Sequence, residues 1–137
     1  MLDLIIPSPG DAHSAVLKVV GEIRYGPRYN AVLVDDLELK GIHVGDDAEW
    51  LTPHLLAAQE WVHVAGREGP DTRLLLLDAE RALMCRGPII ARGLVEGFRL
   101  EAGRVDYRVQ YYGDLPDHPE MERSFNLPQA QDWVAYK

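Results

Sequence analysis

The chain has 137 residues, 47% hydrophobic and 26% charged, the size and composition of one globular domain rather than a disordered segment. Its 22 acidic residues outnumber 14 basic ones, and a net charge of −8 repels phosphate backbones, so nucleic acid is not an expected partner. The single cysteine, Cys85, allows no disulfide within the chain, and no apolar run approaches the ~20 residues of a membrane span.

The opening run, Met1 to Pro7, lacks the basic segment and the length of a signal peptide. With one cysteine and no membrane span, a cytoplasmic location is the expectation. Pro7 to Asp11 then breaks the chain with two prolines and a glycine. Ala15 to Arg24 is rich in Val and Ile, Tyr25-Gly26-Pro27-Arg28 is turn chemistry, and Tyr29 to Asp36 is again rich in strand formers, so this region reads as a β-hairpin. Leu37 to Val44 continues the meander. Its alternation changes phase at Gly41, with Leu37 and Leu39 before and Ile42 and Val44 after, which predicts a bulge or corner. Gly45-Asp46-Asp47 is expected to end that element.

Leu55 to Val64 is assigned as a strand, although Leu55 to Trp61 also has helix-forming residues. After the polar loop Gly66 to Asp71, Thr72 to Leu77 is a short apolar run that suits a strand buried on both faces. Asp78 to Arg81 is a tight turn into Ala82 to Arg86, and Ile89 to Ala91 is a further short strand. Leu94 to Glu101 and Arg104 to Tyr112 form a hairpin through Ala102-Gly103. In its second arm Val105, Tyr107, Val109 and Tyr111 share one face, while Asp106, Arg108 and Gln110 share the other. Gly113 to Glu120 is a loop, Met121 to Leu127 an edge strand, and Pro128 to Trp133 one helical turn. No helix-length segment has a 3.6-residue period and no βαβ alternation occurs. The fold class is therefore mainly β, a single-domain antiparallel meander forming a sandwich or a partly open barrel, with at most one short helix.

Trp50-Leu51-Thr52-Pro53-His54-Leu55-Leu56-Ala57-Ala58, followed by Thr72 to Asp78, resembles one blade of a bacterial β-propeller. Thr52-Pro53-His54 stands where Ser-Pro-Asp would be, and the following glycine is missing. The phrase spans about a fifth of the chain, too little for a closed propeller of roughly four to eight blades. The whole pattern resembles small bacterial β-rich proteins with one such phrase. That resemblance implies a binding protein, and some small acidic proteins of this style neutralise toxins.

Several residue groups bear on chemistry. His43, Asp46, Asp47 and Glu49 lie within seven residues and carry ligand types suited to zinc or manganese, but without His-x-His or a cysteine pair they read as a solvated acidic turn. In the group His54, Glu60 and His63, the last two would share one helix face, whereas on a strand Glu60 and His63 point apart. Cys85 beside Arg86 reads as a small apolar filler. Ser8, Ser14 and Ser124 sit in no nucleophile elbow, and no glycine-rich phosphate loop is present, so no cofactor is expected. The carboxylate pairs Asp35–Asp36, Asp46–Asp47 and Asp114–Asp117 sit in turns and define no cleft.

The aromatic residues are numerous for one small sheet, and Arg24 and Arg28 flank the first turn beside Tyr25 and Tyr29. Tyr, Trp and Arg concentrate at binding hot spots, and Tyr also simply suits strands. The expected function is a non-enzymatic protein-binding module for a protein partner, a basic one where the acidic residues steer its approach. Tyr25, Arg28, Tyr29 and Tyr112 are its candidate contacts, and Asp46, Asp47 and Glu49 its steering charges. A small-ligand or hydrolytic half-barrel, with His43 or His54 beside a carboxylate, is the second reading. A structural homo-oligomer pairing exposed strand edges is the third.

Overall fold

The structure, a computed structural model, describes residues 3–22, 28–63, 71–111 and 120–137. Among them run eleven strands and no α-helix, so the mainly β, antiparallel reading holds. The first seven are β1 (Leu4–Pro7), β2 (Ser14–Glu22), β3 (Arg28–Val34), β4 (Leu37–Trp50), β5 (Leu55–His63), β6 (Asp71–Asp78) and β7 (Leu83–Arg86). The last four are β8 (Gly93–Glu101), β9 (Arg104–Tyr111), β10 (Glu120–Asn126) and β11 (Val134–Ala135). The first seven form a meander that β11 extends, an eight-stranded sheet ordered β1-β2-β3-β4-β5-β6-β7-β11. β10-β9-β8 form a separate three-stranded sheet. β1 and β11 remain the two ends of the large sheet, so it does not close into a barrel.

The sheet curls because of β4. Gly41 takes φ +79°, and the β3–β4 register slips between Ala31–His43 and Leu33–Glu38. That bulge lets Leu39 and Ile42, out of phase in sequence, both enter one core with Val44. β4 does not end at Gly45 as expected but runs on to Trp50, with a second slip between Val44 and Ala48. Bulges bend a strand without ending it, and here the acidic residues remain within the bent strand. Val44 to Trp50 then pair with β5, while the earlier residues pair with β3.

Two apolar cores result. In the first, Ala15 and Leu17 of β2 and Val32 and Val34 of β3 pack with Leu56, Ala58, Leu75 and Leu77 across the curl. In the second, Ala57, Leu74 and Leu76 pack with Val95, Phe98, Val105, Tyr107 and Val109 of the small sheet. β5 and β6 are thus the shared wall, and the alternate leucines of β6 serve opposite cores. All four, Leu74 to Leu77, are fully buried, and burial stabilises by ~1.5–3 kcal/mol per side chain of this kind.

Two buried polar side chains attach the small sheet. The Thr72 hydroxyl donates to the Gly93 carbonyl and accepts the Val95 N–H at 3.2 Å. Gln59 Nε2 donates to the Val95 carbonyl at 2.8 Å. These side chains satisfy the edge of β8, which would otherwise carry orphaned backbone groups into an apolar interface. The β8–β9 turn has positive φ at both Ala102 (42°) and Gly103 (79°), the geometry that matches hairpin twist. The segment Ile89 to Ala91 is no strand: only Ile90 bridges, to Thr72. The helical turn expected over Pro128 to Trp133 is a single 3-10 turn, Ala130–Asp132, and Pro9–Asp11 forms another.

Candidate functional site

Of the seven residues singled out for binding, Tyr25 and Tyr112 lie outside the described residues, and Arg28 begins β3 with its side chain outside them. The structure brings three of the others to one face. Tyr29 on β3 and His43, Asp47 and Glu49 on β4 all point away from the first core, because β4 alternates them with Val44, Ala48 and Trp50.

At one end of this stripe the Tyr29 ring meets His43 edge-on at 5.8 Å and tilts against Trp61 of β5 at 5.4 Å. Its phenol lies across Gly21 of β2, where an added Cβ would stand 2.7 Å from Tyr29 Cζ. Glycine is needed there for the ring to lie down. Trp61 is buried, and its indole donates to Gln59 Oε1 at 2.8 Å. Gly45 sits against the same pair, since a Cβ on it would fall on Gln59 Oε1 and 3.0 Å from Trp61 Nε1. Tyr29 and His43 therefore form a half-exposed aromatic pad on a rigid base.

The stripe then turns acidic. Asp47 faces Glu96 of β8, and its carboxyl pKa is raised, first by partial burial, then by the charges of Glu96 and Asp46, with Arg108 pulling it back. Glu49 lies further along, on a cleft of about 420 Å³ that it shares with Arg99, Asp106, Arg108 and Glu122. In that cleft Asp106 accepts from the Ser124 hydroxyl at 2.7 Å, Arg104 Nε at 3.0 Å and Arg99 Nη2 at 3.3 Å. The Ser124 and Arg104 bonds are the main reasons its carboxyl is held below the usual range. Asp46 departs from the group: its Oδ1 accepts the Asn30 amide at 2.9 Å, on the side of the first core.

The histidine groups are rearranged. Glu60 is buried and accepts Arg73 Nε at 2.7 Å and Arg86 Nε at 2.8 Å, so it holds an ion triad across β5–β7. His54 sits in the β4–β5 turn, at the opposite end of β5, with Nε2 3.6 Å from Glu80. His63 closes β5, with its side chain outside the described residues. The sequence reading missed His13. Its Nδ1 is 2.7 Å from Asp35 Oδ2, its ring stacks on Trp50 at 6.2 Å and meets His54 edge-on at 6.1 Å. Asp35 and His13 are 22 residues apart, and the β2–β3 register joins them: Ala15 pairs with Val34, and the Asp35 N–H donates to the Ser14 carbonyl.

Among the described residues no serine, threonine or cysteine hydroxyl or thiol bonds to either imidazole, and no group of three or more His, Cys, Asp and Glu converges to hold a metal ion. Cys85 is buried in the second core, and burial pushes its thiol pKa up to about 12, so it is protonated and inert at neutral pH. No helix among the described residues is long and apolar enough to cross a membrane. The chain matches no known protein family, no curated protein and no solved structure, so its own surface chemistry carries the functional argument.

Proposed function

We propose that this chain is a non-enzymatic protein-binding module that docks a basic protein surface on the Tyr29–His43–Asp47–Glu49 stripe. The observation that carries this is continuity: a half-exposed aromatic pad runs on to Asp47 and Glu49 on the same strand face, with Glu96 of β8 opposite Asp47. Tyr29 is held between Trp61 and His43, so contact there costs little ordering of its ring. The charges of Glu96 and Asp46 bear on Asp47, and a partner's Lys or Arg would relieve that repulsion while the net charge of −8 steers its approach. Neutralising a basic toxin by occlusion, in a bacterial cytoplasm, is the concrete form of this role suggested by the single cysteine and the blade-like phrase.

The test is affinity capture of tagged protein from its own cell lysate at low and high salt, in parallel with Asp47→Lys/Glu49→Lys and Tyr29→Ala. A stoichiometric basic partner held by the wild type, released by salt and lost in both variants is the expected result. A partner retained equally by all three proteins would contradict the assignment of this face.

A further inference from the structure

We infer that the chain also carries a binding cleft for a small organic ammonium with an apolar body, an arylalkylamine by chemical class, at the open end of the second core. The cleft measures about 350 Å³, within the ~300–1,000 Å³ of small-molecule sites, and is far from the Tyr29 face. It exists because of how the chain ends. After β10 the backbone leaves the small sheet and crosses to the large one, where Val134 pairs with Met84 and Ala135 with Leu83. The crossing segment folds on itself, with Trp133 Nε1 donating to the Pro128 carbonyl at 3.2 Å, and it bridges the opening without filling it.

The floor is core. Leu55, Leu100, Leu127 and Trp133 line the cleft and are the partly buried residues packed against the second core. Trp133 has committed its indole N–H to Pro128, which leaves its ring as the recognition surface, and an indole face attracts a cation.

The rim carries a prepared carboxylate. Asp78 Oδ1 accepts the backbone N–H groups of Glu80 at 3.0 Å and Arg81 at 3.1 Å, which fixes the orientation of the group. Among the described residues its Oδ2 has only Arg81 Nε at 3.7 Å, beyond hydrogen-bond length, on a side chain that is 65% exposed. A ligand ammonium can take that oxygen at the cost of a loose, solvated pair. Glu80 stands beside it, 3.6 Å from His54, which also lines the cleft. Asp78 is the one carboxylate among the described residues that line the cleft, beside the one arginine, and its free oxygen within a chain of net charge −8 favours a cation over an anion.

The experiment is a ¹H–¹⁵N correlation titration of the full chain with 2-phenylethylamine, and in parallel with 3-phenylpropionate and with ethanolamine. The amine is expected to shift the Trp133 indole N–H and the Leu100 and Leu127 amides saturably, with a dissociation constant of about a millimolar. The carboxylate and the polar amine should bind at least ~10-fold more weakly, a free-energy difference of ~1.4 kcal/mol. Asp78→Asn keeps an oxygen for the two turn N–H groups and should weaken the amine several-fold, and Ala130→Trp should fill the cleft and abolish the shifts. Should Asp78→Asn disturb the turn, the comparison of amine with carboxylate on the unaltered protein decides alone. Absence of saturable shifts by ~20 mM amine, or carboxylate binding as tight as amine binding, overturns the proposal.

Discussion

Replacing Thr72 with valine removes one oxygen from a site that has no access to water. The side chain is fully buried, and valine matches its shape. The change deletes the bond to the Gly93 carbonyl and the bond from the Val95 N–H, and leaves both backbone groups facing an apolar layer. Each orphaned group costs about 1–3 kcal/mol, so Thr72→Val should lose about 2–6 kcal/mol. That is a large fraction of the ~5–15 kcal/mol stability of a domain this size. Equilibrium urea unfolding followed by far-ultraviolet circular dichroism measures it, with an unchanged slope showing that the denatured state is not altered. The exposed Gln110→Met serves as control and should move stability by less than ~0.5 kcal/mol. Gln59 holds the carbonyl of the same Val95 whose N–H Thr72 receives, so Gln59→Met and Thr72→Val should couple in a double-mutant cycle. A loss below ~1 kcal/mol for Thr72→Val would refute the view that side chains of the large sheet carry the β8 edge.

Glu60→Gln leaves Arg73 and Arg86 without their carboxylate. Because both guanidinium groups reach solvent, the loss should fall at the lower end of the ~3–5 kcal/mol seen for broken buried pairs, again read by urea unfolding. Cys85 keeps its proton in the folded chain up to about 12, whereas an ordinary thiol loses it near 9.0. The native state then binds more protons than the unfolded state, so stability should fall as pH rises through that window, and Cys85→Ala should flatten the fall. Asp106 behaves oppositely. Its depressed pKa contributes stability that is present above the ordinary carboxylate value and lost as pH falls through the folded one. Ser124→Ala removes the largest cause, so the Asp106 carboxyl should titrate higher in a ¹³C-detected pH series, and the gap to wild type should narrow in acid.

Local patterning carried most of the fold. Leu74 to Leu77 read as a strand buried on both faces because an unbroken apolar run has no polar face to show, and the structure divides it between two cores. The phase change at Gly41 marked the bulge for the same reason: only an inserted residue reconciles Leu39 and Ile42 on one side. The extent of β4 was hidden, since Gly45-Asp46-Asp47 is turn chemistry by composition. What keeps it extended is distant: Asn30 donating to Asp46, and Gln59 and Trp61 seated on Gly45. The partition into two sheets was equally invisible, because it depends on Gln59 and Thr72 meeting Val95 from 36 and 23 residues away. In the candidate site, nearness in sequence grouped Asp46, Asp47 and Glu49 as an acidic turn, and the strand that separates Asp46 from the other two was not foreseen. Nothing in the sequence placed Glu96 opposite Asp47, for that contact follows from the packing of the two sheets, whereas His13 beside Asp35 follows from the β2–β3 register.

The most direct measurement is to add the captured partner to ¹⁵N-labelled protein and map the perturbed amides. If the Tyr29 stripe is the docking face, shifts should concentrate at Tyr29, His43, Asp47, Glu49 and Glu96, and weaken as salt is raised. Perturbations confined elsewhere, such as the outer edge of β10 or the turn at Asp35, would contradict that assignment.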